Sequence, residues 1–377
     1  MSNNLKKYNI ILTGGGTAGH VWPHFALFEG NNPLAQCFRQ QNLGVHYVGS
    51  YSGMEKDLVT TTQLEWHYHS ISTGKLRRYF SLQNFLDPFK IFYGFLQCFM
   101  LIGKVKPSVI FSKGGFVSAP IVWAAWLRGV PVVTHESDAT PALATKLTLP
   151  FARKGLFAFG ETIRNVSFLM RKKSLETGLP IRESLFSASK EEGLNFFKFT
   201  PETKVILIFG GSLGAQSLNE KIFTMLPDLI EKYQIIHITG KGNRKEITPS
   251  ALLEKNYRQF EFLKDEMKYA YAAADLAICR AGASSIFELA AGRIPMILLP
   301  LGLHASRGDQ IINAQIFSSK GWAQWIDETT FQKETAITLI HSTMNSLDDH
   351  KKALSVAPSL DAANKIAEIL WNIMLKK

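Results

Sequence analysis

Residues 9–20 read Asn9-Ile10-Ile11-Leu12-Thr13-Gly14-Gly15-Gly16-Thr17-Ala18-Gly19-His20, and residues 205–215 read Val205-Ile206-Leu207-Ile208-Phe209-Gly210-Gly211-Ser212-Leu213-Gly214-Ala215. Each is a short apolar run that stops at glycines. Such a run suits a buried strand, and the glycines let the backbone turn sharply and approach a ligand before a helix begins. One loop of this kind is a weak signal. Two in one chain predict two α/β halves facing a shared cleft. Working outward, apolar runs at 45–48, 109–111 and 130–134, and again at 235–239, 276–279 and 295–299, alternate with longer helical stretches. Strand, helix, strand in that order implies parallel sheets. Gly178 and Pro180, after the basic cluster Arg171-Lys172-Lys173, mark a boundary between the halves, and residues 360–375 carry apolar side chains at helical spacing.

The chain has 377 residues, 46% hydrophobic and 19% charged, which fits a globular protein of two or three domains and excludes extensive disorder. Its three cysteines, Cys37, Cys98 and Cys279, lack metal-ligand spacing, so a reducing compartment and no disulfide framework are expected. Residues 1–8 lead into a strand and a glycine loop, so no signal peptide is expected. The longest apolar stretch, 91–103, falls short of the roughly 20 residues that span a bilayer. The net charge of +11 is unevenly spread: 19 basic against 9 acidic residues in 1–181, but 23 against 22 in 182–377. Such asymmetry points to an acidic partner for the first half, either nucleic acid, anionic lipid or a phosphorylated substrate.

Gly14, Gly16 and Gly19 satisfy the dinucleotide pattern GxGxxG, but that reading expects an acid at the end of the second strand, which here ends Val48-Gly49-Ser50. His20 falls where the loop becomes a helix, and is either a local backbone cap or a proton acceptor at the mouth of the cleft. A third glycine turn, Ser112-Lys113-Gly114-Gly115-Phe116-Val117-Ser118, can form an anion nest or a plain strand-to-helix turn. In the second half, Cys279-Arg280-Ala281-Gly282-Ala283-Ser284-Ser285-Ile286-Phe287-Glu288 opens a helix with small residues. Its Glu288 is either a ribose ligand or, with Ser285 three residues earlier, a capping-box glutamate. Residues 304–310 form a polar loop after the 295–299 strand, where open α/β sheets bind ligands. The chain carries no Asp-x-Asp, HExxH or GxSxG motif and no Walker lysine, so a metal or covalent-serine mechanism has no support in it.

Taken in order, Gly14 to His20, Gly114-Gly115-Phe116-Val117-Ser118, His135-Glu136-Ser137-Asp138, Gly178-Leu179-Pro180-Ile181-Arg182, Gly210 to Ala215, Arg280 to Glu288, and Asp309-Gln310 with Asn313-Ala314 resemble the motifs of the MurG family of glycosyltransferases over nearly the whole chain. The resemblance implies the GT-B fold, α/β with two Rossmann-like domains whose parallel sheets face a central cleft. It implies an amino-terminal acceptor- and membrane-facing domain, 1–181, to which the final helix at 358–377 returns, and a donor-binding domain, 182–357. The implied reaction is metal-independent, inverting transfer of N-acetylglucosamine from UDP-N-acetylglucosamine to undecaprenyl-pyrophosphoryl-N-acetylmuramoyl-pentapeptide in peptidoglycan synthesis, with no cofactor. In this likeness His20 is the base and Ser212 contacts the diphosphate. Arg182 and the Leu263 backbone contact the uracil, and Glu288 the ribose. Ala283, Ser284, Ser285, Ile286, Phe287, Asp309 and Gln310 complete the donor site, with the Ala283 region and Gln310 facing the sugar. Thr17, Ala18 and Gly19 join the donor contacts where they line the acceptor side, and Gly15, Gly16, Gly114 and Gly115 form the acceptor-side loops. Three departures stand out: Ala18 for a common glycine, Phe116 for a common tyrosine, and Asp138 where many members have a sugar-contacting asparagine. A carboxylate at 138 accepts a hydrogen bond but donates none unless protonated.

The segment Lys75-Leu76-Arg77-Arg78-Tyr79-Phe80, followed by Phe85, Phe89, Ile91, Phe92, Phe95, Leu96, Phe99 and Met100 with Lys90, Lys104 and Lys106 beside them, suits either an interfacial segment on anionic lipid or a core helix. The expected partners are UDP-N-acetylglucosamine, the lipid-linked acceptor, an anionic phospholipid surface at the cytoplasmic face of the cell membrane and other cell-wall synthesis proteins, with no nucleic acid. The competing readings are a GT-B transferase for another lipid-linked acceptor, a sugar-nucleotide epimerase of the same fold, and a basic nucleic-acid-binding module. The last lacks any recognisable helix-turn-helix, zinc finger or aromatic RNA-binding motif.

Overall fold

The computed structural model describes residues 8–62, 64–74, 83–211, 215–302 and 308–376, with the side chains of 83–86 left aside. It divides into two compact units, Met1–Arg182 with Leu360–Lys377, and Glu183–Ser359.

In the first unit, β1 (Tyr8–Thr13), β2 (Leu43–Ser50), β3 (His67–Ile71), β4 (Val109–Ser112), β5 (Val132–Glu136), β6 (Lys154–Phe157) and β7 (Ser174–Glu176) form one sheet in the order β3-β2-β1-β4-β5-β6-β7. Every pairing is parallel. Parallel strands covered by helices on both faces are buried on both sides, which is why β1 and β4 read as continuous apolar runs instead of alternating ones. One face packs Ile10, Leu12 and Phe111 against Phe25, Leu34 and the final helix Ala362–Leu375 through Ile366, Leu370 and Ile373. The other packs Ile11 and Ile110 against Cys98 and Ile102 of the long helix Gln83–Val105 and Ile121 of the helix Ser118–Leu127.

In the second unit, β8 (Val205–Phe209), β9 (Gln234–Ile238), β10 (Tyr257–Phe260), β11 (Leu276–Cys279), β12 (Met296–Leu298) and β13 (Gln324–Trp325) make a parallel sheet in the order β10-β9-β8-β11-β12-β13. Its core joins Ile206, Ile208, Ile278 and Ile297 to Leu218, Ile222 and Leu229 of the helix Gln216–Ile230. The runs predicted from sequence correspond to β1, β2, β4, β5, β8, β9, β11 and β12, whereas β3, β6, β7, β10 and β13 carried no such signal.

Both sheets reverse their winding once, between β1 and β4 and between β8 and β11. At such a switch point neighbouring connections leave in opposite directions and open a crevice at the carboxyl ends of the strands. The Gly14 and Gly114 turns follow β1 and β4, and the Gly210 loop and the Arg280 segment follow β8 and β11.

Candidate active site

In the first unit the two glycine turns meet directly. The Lys113 amide donates to the Thr13 carbonyl at 2.8 Å, and a Cβ on Gly115, which has φ +80°, would collide with the Gly15 carbonyl. Glycine there is a steric requirement of the touching backbones. Thr17, Ala18, Gly19 and His20 follow as an extended residue and a single 3-10 turn, Ala18–His20, ahead of the short helix Trp22–Ala26. Thr17 Oγ1 lies 3.0 Å from His20 Nδ1. In the tautomer protonated at Nδ1, His20 donates to that hydroxyl and its Nε2 carries the lone pair a general base uses.

Beneath these turns lies a buried polar cluster. The Lys113 side chain, 1% exposed, reaches His135 Nδ1 at 2.6 Å and Ser137 Oγ at 2.7 Å, and His135 Nε2 sits 2.9 Å from the Gly178 carbonyl. Burial pulls the Lys113 amine down to about 7, against the opposing pull of Glu136 and Asp138. Burial, with the Lys113 charge beside it, keeps His135 neutral and holds His24 near 3. Both ring nitrogens of His24 lack a hydrogen-bond partner among the described residues. Glu136 organises the next loop: its carboxylate accepts from the amides of Ser137, Asp138 and Ala142 and from Thr145 Oγ1. Burial and Asp138 raise its pKa, and these bonds oppose the rise. The Asp138 carbonyl accepts from Thr162. Arg182 places its guanidinium 4.1 Å over the Trp22 ring, a cation–π contact within the unit.

Sequence reasoning missed Glu55. It lies in the first turn of the helix Met54–Thr60, fully buried, and accepts from Ser50 N at 3.0 Å, Ser50 Oγ at 2.6 Å and Gly16 N at 3.5 Å. The acid absent from the end of β2 thus arrives five positions later, already bonded to the chain itself. A carboxylate tied into its own loop is a poor match for the ribose ligand of a dinucleotide enzyme. The signal was available in the acid of Gly53-Met54-Glu55, but the expected position was the strand end.

In the second unit Ser212 lies outside the described residues, as do Leu213, Gly214 and the 303–307 part of the polar loop. The flanking Gly211 has φ +88°. A Cβ on Gly211, Gly282 or Gly302 would meet nothing within 4 Å among the described residues. The helix Ala283–Ala291, carrying Ala283, Ser284, Ser285, Ile286, Phe287 and Glu288, has Gly282 at its N-cap and no side-chain cap. Ser285 is therefore inside the first turn and Glu288 in the second, which overturns the capping-box reading. Glu288 Oε2 instead accepts from Tyr271 Oη at 2.6 Å. Arg280, 3% exposed, makes a bidentate pair with Glu328 at 2.8 Å and donates to Ser217 and the Leu299 carbonyl, so it clamps the loops around the switch point. Burial would raise Glu328, but the bonds from Arg280 and Ser217 bring it below the usual range. Asp309 and Gln310 open the helix Asp309–Ser319 behind Gly308, which is left-handed at φ +82°, and Gln310 Oε1 accepts from the Leu301 amide. Leu263 lies in the loop after β10. No group of three or more His, Cys, Asp or Glu side chains suited to a metal occurs among the described residues.

Two doubly wound parallel sheets, each with its loops gathered at a switch point, are the α/β architecture of the GT-B class. Residues 10–156 match the glycosyltransferase family 28 N-terminal domain, and residues 205–369 the glycosyltransferase family 28 C-terminal domain. The chain is 42% identical, over 97% of its length and 99% of the relative's, to the UDP-N-acetylglucosamine–N-acetylmuramyl-(pentapeptide) pyrophosphoryl-undecaprenol N-acetylglucosamine transferase of Lachnoclostridium phytofermentans. It is 41% identical to the enzyme of the same name from Geobacillus thermodenitrificans, over 96% of this chain and 98% of that one. The crystal structure of Acinetobacter baumannii MurG superposes with a TM-score of 0.73 at 24% identity, covering 97% of this chain and 99% of that chain. A UDP-GlcNAc 2-epimerase from Neisseria meningitidis shares the fold at TM-score 0.65 and 11% identity, over 98% of this chain and all of that one. The chain belongs to the MurG family of family 28 glycosyltransferases.

Proposed function

We propose that this enzyme transfers N-acetylglucosamine from UDP-N-acetylglucosamine to the C4 hydroxyl of undecaprenyl-pyrophosphoryl-N-acetylmuramoyl-pentapeptide, with inversion at the anomeric carbon. The observation that carries the reading is kinship over the whole length of transferases so named, with the motif loops lying at the switch points of both sheets. The second unit, 183–359, is the donor side. As the sugar leaves, negative charge grows on the diphosphate, and the amides of Gly210 to Ala215 with the amino terminus of the helix Gln216–Ile230 offset it. Ser212 adds a hydroxyl there, Glu288 takes the ribose and the Leu263 backbone the uracil; Arg182, the other uracil contact of this reading, is the last residue of the first unit. Ala283 to Phe287, with Asp309 and Gln310, hold the sugar. The first unit supplies the base: His20 Nε2 accepts the acceptor's hydroxyl proton as its oxygen attacks, while Thr17 fixes the ring through Nδ1. Gly15, Gly16, Gly114 and Gly115 shape the acceptor side, Thr17, Ala18 and Gly19 add donor contacts where they line it, and Asp138 accepts a hydrogen bond from a sugar hydroxyl.

The acceptor is a lipid, and the helix Gln83–Val105 offers it a surface. Phe89, Phe92, Tyr93, Leu96 and Met100 are exposed, whereas Cys98 and Ile102 are core. Phe89 is 73% exposed, far beyond a core side chain, which supports an interfacial role for the outer face of a helix whose inner face is core. No helix among the described residues is long and apolar enough to cross a membrane. We assign this face to peripheral docking on anionic lipid at the cytoplasmic side of the membrane, beside other cell-wall synthesis proteins; Lys75 to Phe80, the rest of the basic and aromatic run, lies outside the described residues. Anionic vesicles should retain the protein at low salt in a flotation assay, and equally poor retention by neutral and anionic vesicles would refute the assignment. For the reaction, UDP release from UDP-N-acetylglucosamine should require the lipid-linked acceptor. Turnover that ignores the acceptor would sink the transferase reading.

A further inference from the structure

We propose that Glu55 is a positioning residue: it fills the amide pocket of the first glycine loop with the chain's own carboxylate, so that this loop holds no phosphate and instead fixes the backbone that carries Thr17 and His20. The consequence for His20 rests on the transferase reading.

The loop after β1 has the sequence of a phosphate cradle, yet its inner side is occupied. Glu55 is 0% exposed, its two oxygens accept from Ser50 and from the Gly16 amide, and a Cβ on Gly15 would lie 3.0 Å from the carboxylate. Two phenols brace the same assembly from β2 and β3: Tyr47 Oη donates to the Gly14 carbonyl and Tyr68 Oη to the Ser50 carbonyl, each at 2.7 Å. Burial, then the Glu55 charge, raises the pKa of both phenols and keeps them as donors. The Gly14 carbonyl and the Gly16 amide are thus pinned from two sides, and the next residue is Thr17, the hydrogen-bond partner of His20. A phosphate brought to the Gly16 amide would meet a buried carboxylate already bonded to it, and the desolvated like charges would repel it. By contrast, the second unit's Gly211 and Gly282 have open space beside the backbone among the described residues.

Two variants of the full chain test this. Glu55→Ala empties the pocket, and Glu55→Gln keeps its shape without the charge. Both should lower acceptor-dependent UDP release about 100-fold through loss of orientation, while UDP binding measured by calorimetry stays within about twofold, because most of the UDP contacts of the transferase reading, Ser212, Leu263 and Glu288, lie in the other unit. Sodium formate, which replaces the missing carboxylate, should partly restore turnover of Glu55→Ala in a saturable way and raise its melting temperature. It should do neither for the parent protein or for Glu55→Gln, whose amide still fills the pocket. Full turnover in Glu55→Gln, or a Glu55→Ala protein indifferent to formate in both readouts, would overturn the proposal. Should Glu55→Ala not fold, Glu55→Gln turnover decides. Failure of the transferase reading would show separately, as a parent protein without acceptor-dependent turnover, and the formate-dependent melting shift would still report on Glu55.

Discussion

The loops at the two switch points look alike in sequence and differ in what surrounds their glycines. In the first unit the chain's own atoms press against three of them: the Glu55 carboxylate on Gly15, the Gly15 carbonyl on Gly115, and the His20 carbonyl, 2.5 Å from a Cβ placed on Gly14; Gly114, at φ +85°, has no described atom within 4 Å of an added Cβ. In the second unit Gly211, Gly282 and Gly302 have no described atom within 4 Å of an added Cβ. A glycine can therefore serve the fold or serve a ligand, and the letter G does not say which. The crowded glycines let two backbones touch; the open ones leave room beside the backbone.

The largest effect that can break this comparison is at His20. His20→Ala should lower turnover by about 10²- to 10⁴-fold, the range for one general base, with UDP affinity nearly intact; weak donor binding with normal turnover would move His20 to a structural role. Next comes Gly115→Ala, which combines a left-handed backbone with a clash on Gly15. It should cost roughly 2–4 kcal/mol in chemical denaturation, whereas Gly282→Ala should leave stability nearly unchanged and weaken UDP binding. Equal stability losses at both positions would erase the distinction. Glu288→Ala should raise the KM for UDP-N-acetylglucosamine about 10- to 100-fold, the worth of a hydrogen bond to a charged group, and leave kcat less affected.

The smallest effect is a pH slope in the first unit. Lys113 titrates near 7 in the fold against 10.5 as its ordinary value, because burial disfavours its charge. The unfolded chain thus binds the extra proton between those values, and the stability penalty of burying the ammonium is full below pH 7 and fades as pH rises above it. Between pH 6.5 and 8 this contributes a gain of about 1 kcal/mol. Lys113→Met should lose that gain in paired urea titrations, and an identical slope in both proteins would show that Lys113 stays charged.

Much of the fold was legible because strands buried on both faces are written as apolar runs: β1, β4, β8 and β11, which flank the switch points, are such runs. The missed strands lie toward the margins. β3, with His67, Tyr68, His69 and Ser70, is an edge strand only partly buried, and β7 and β13 are edge strands of three and two residues. Their positions are fixed by pairing with a neighbour and not by their own side chains, so no periodicity marks them. The same limit applies to Glu55, whose importance depends on a loop some forty residues earlier in the chain.

The sequence by itself determined the α/β class, the family resemblance and the small set of residues available for chemistry, because glycine turns, buried strands and motif order are local properties of the chain. Only the tertiary structure decided which of those residues meet. It put the Gly14 turn against the Gly114 turn, Glu55 inside the first loop and Tyr271 on Glu288. These are contacts between segments distant in sequence, created by strand order and burial, and side-chain pairing at that range leaves no trace in spacing.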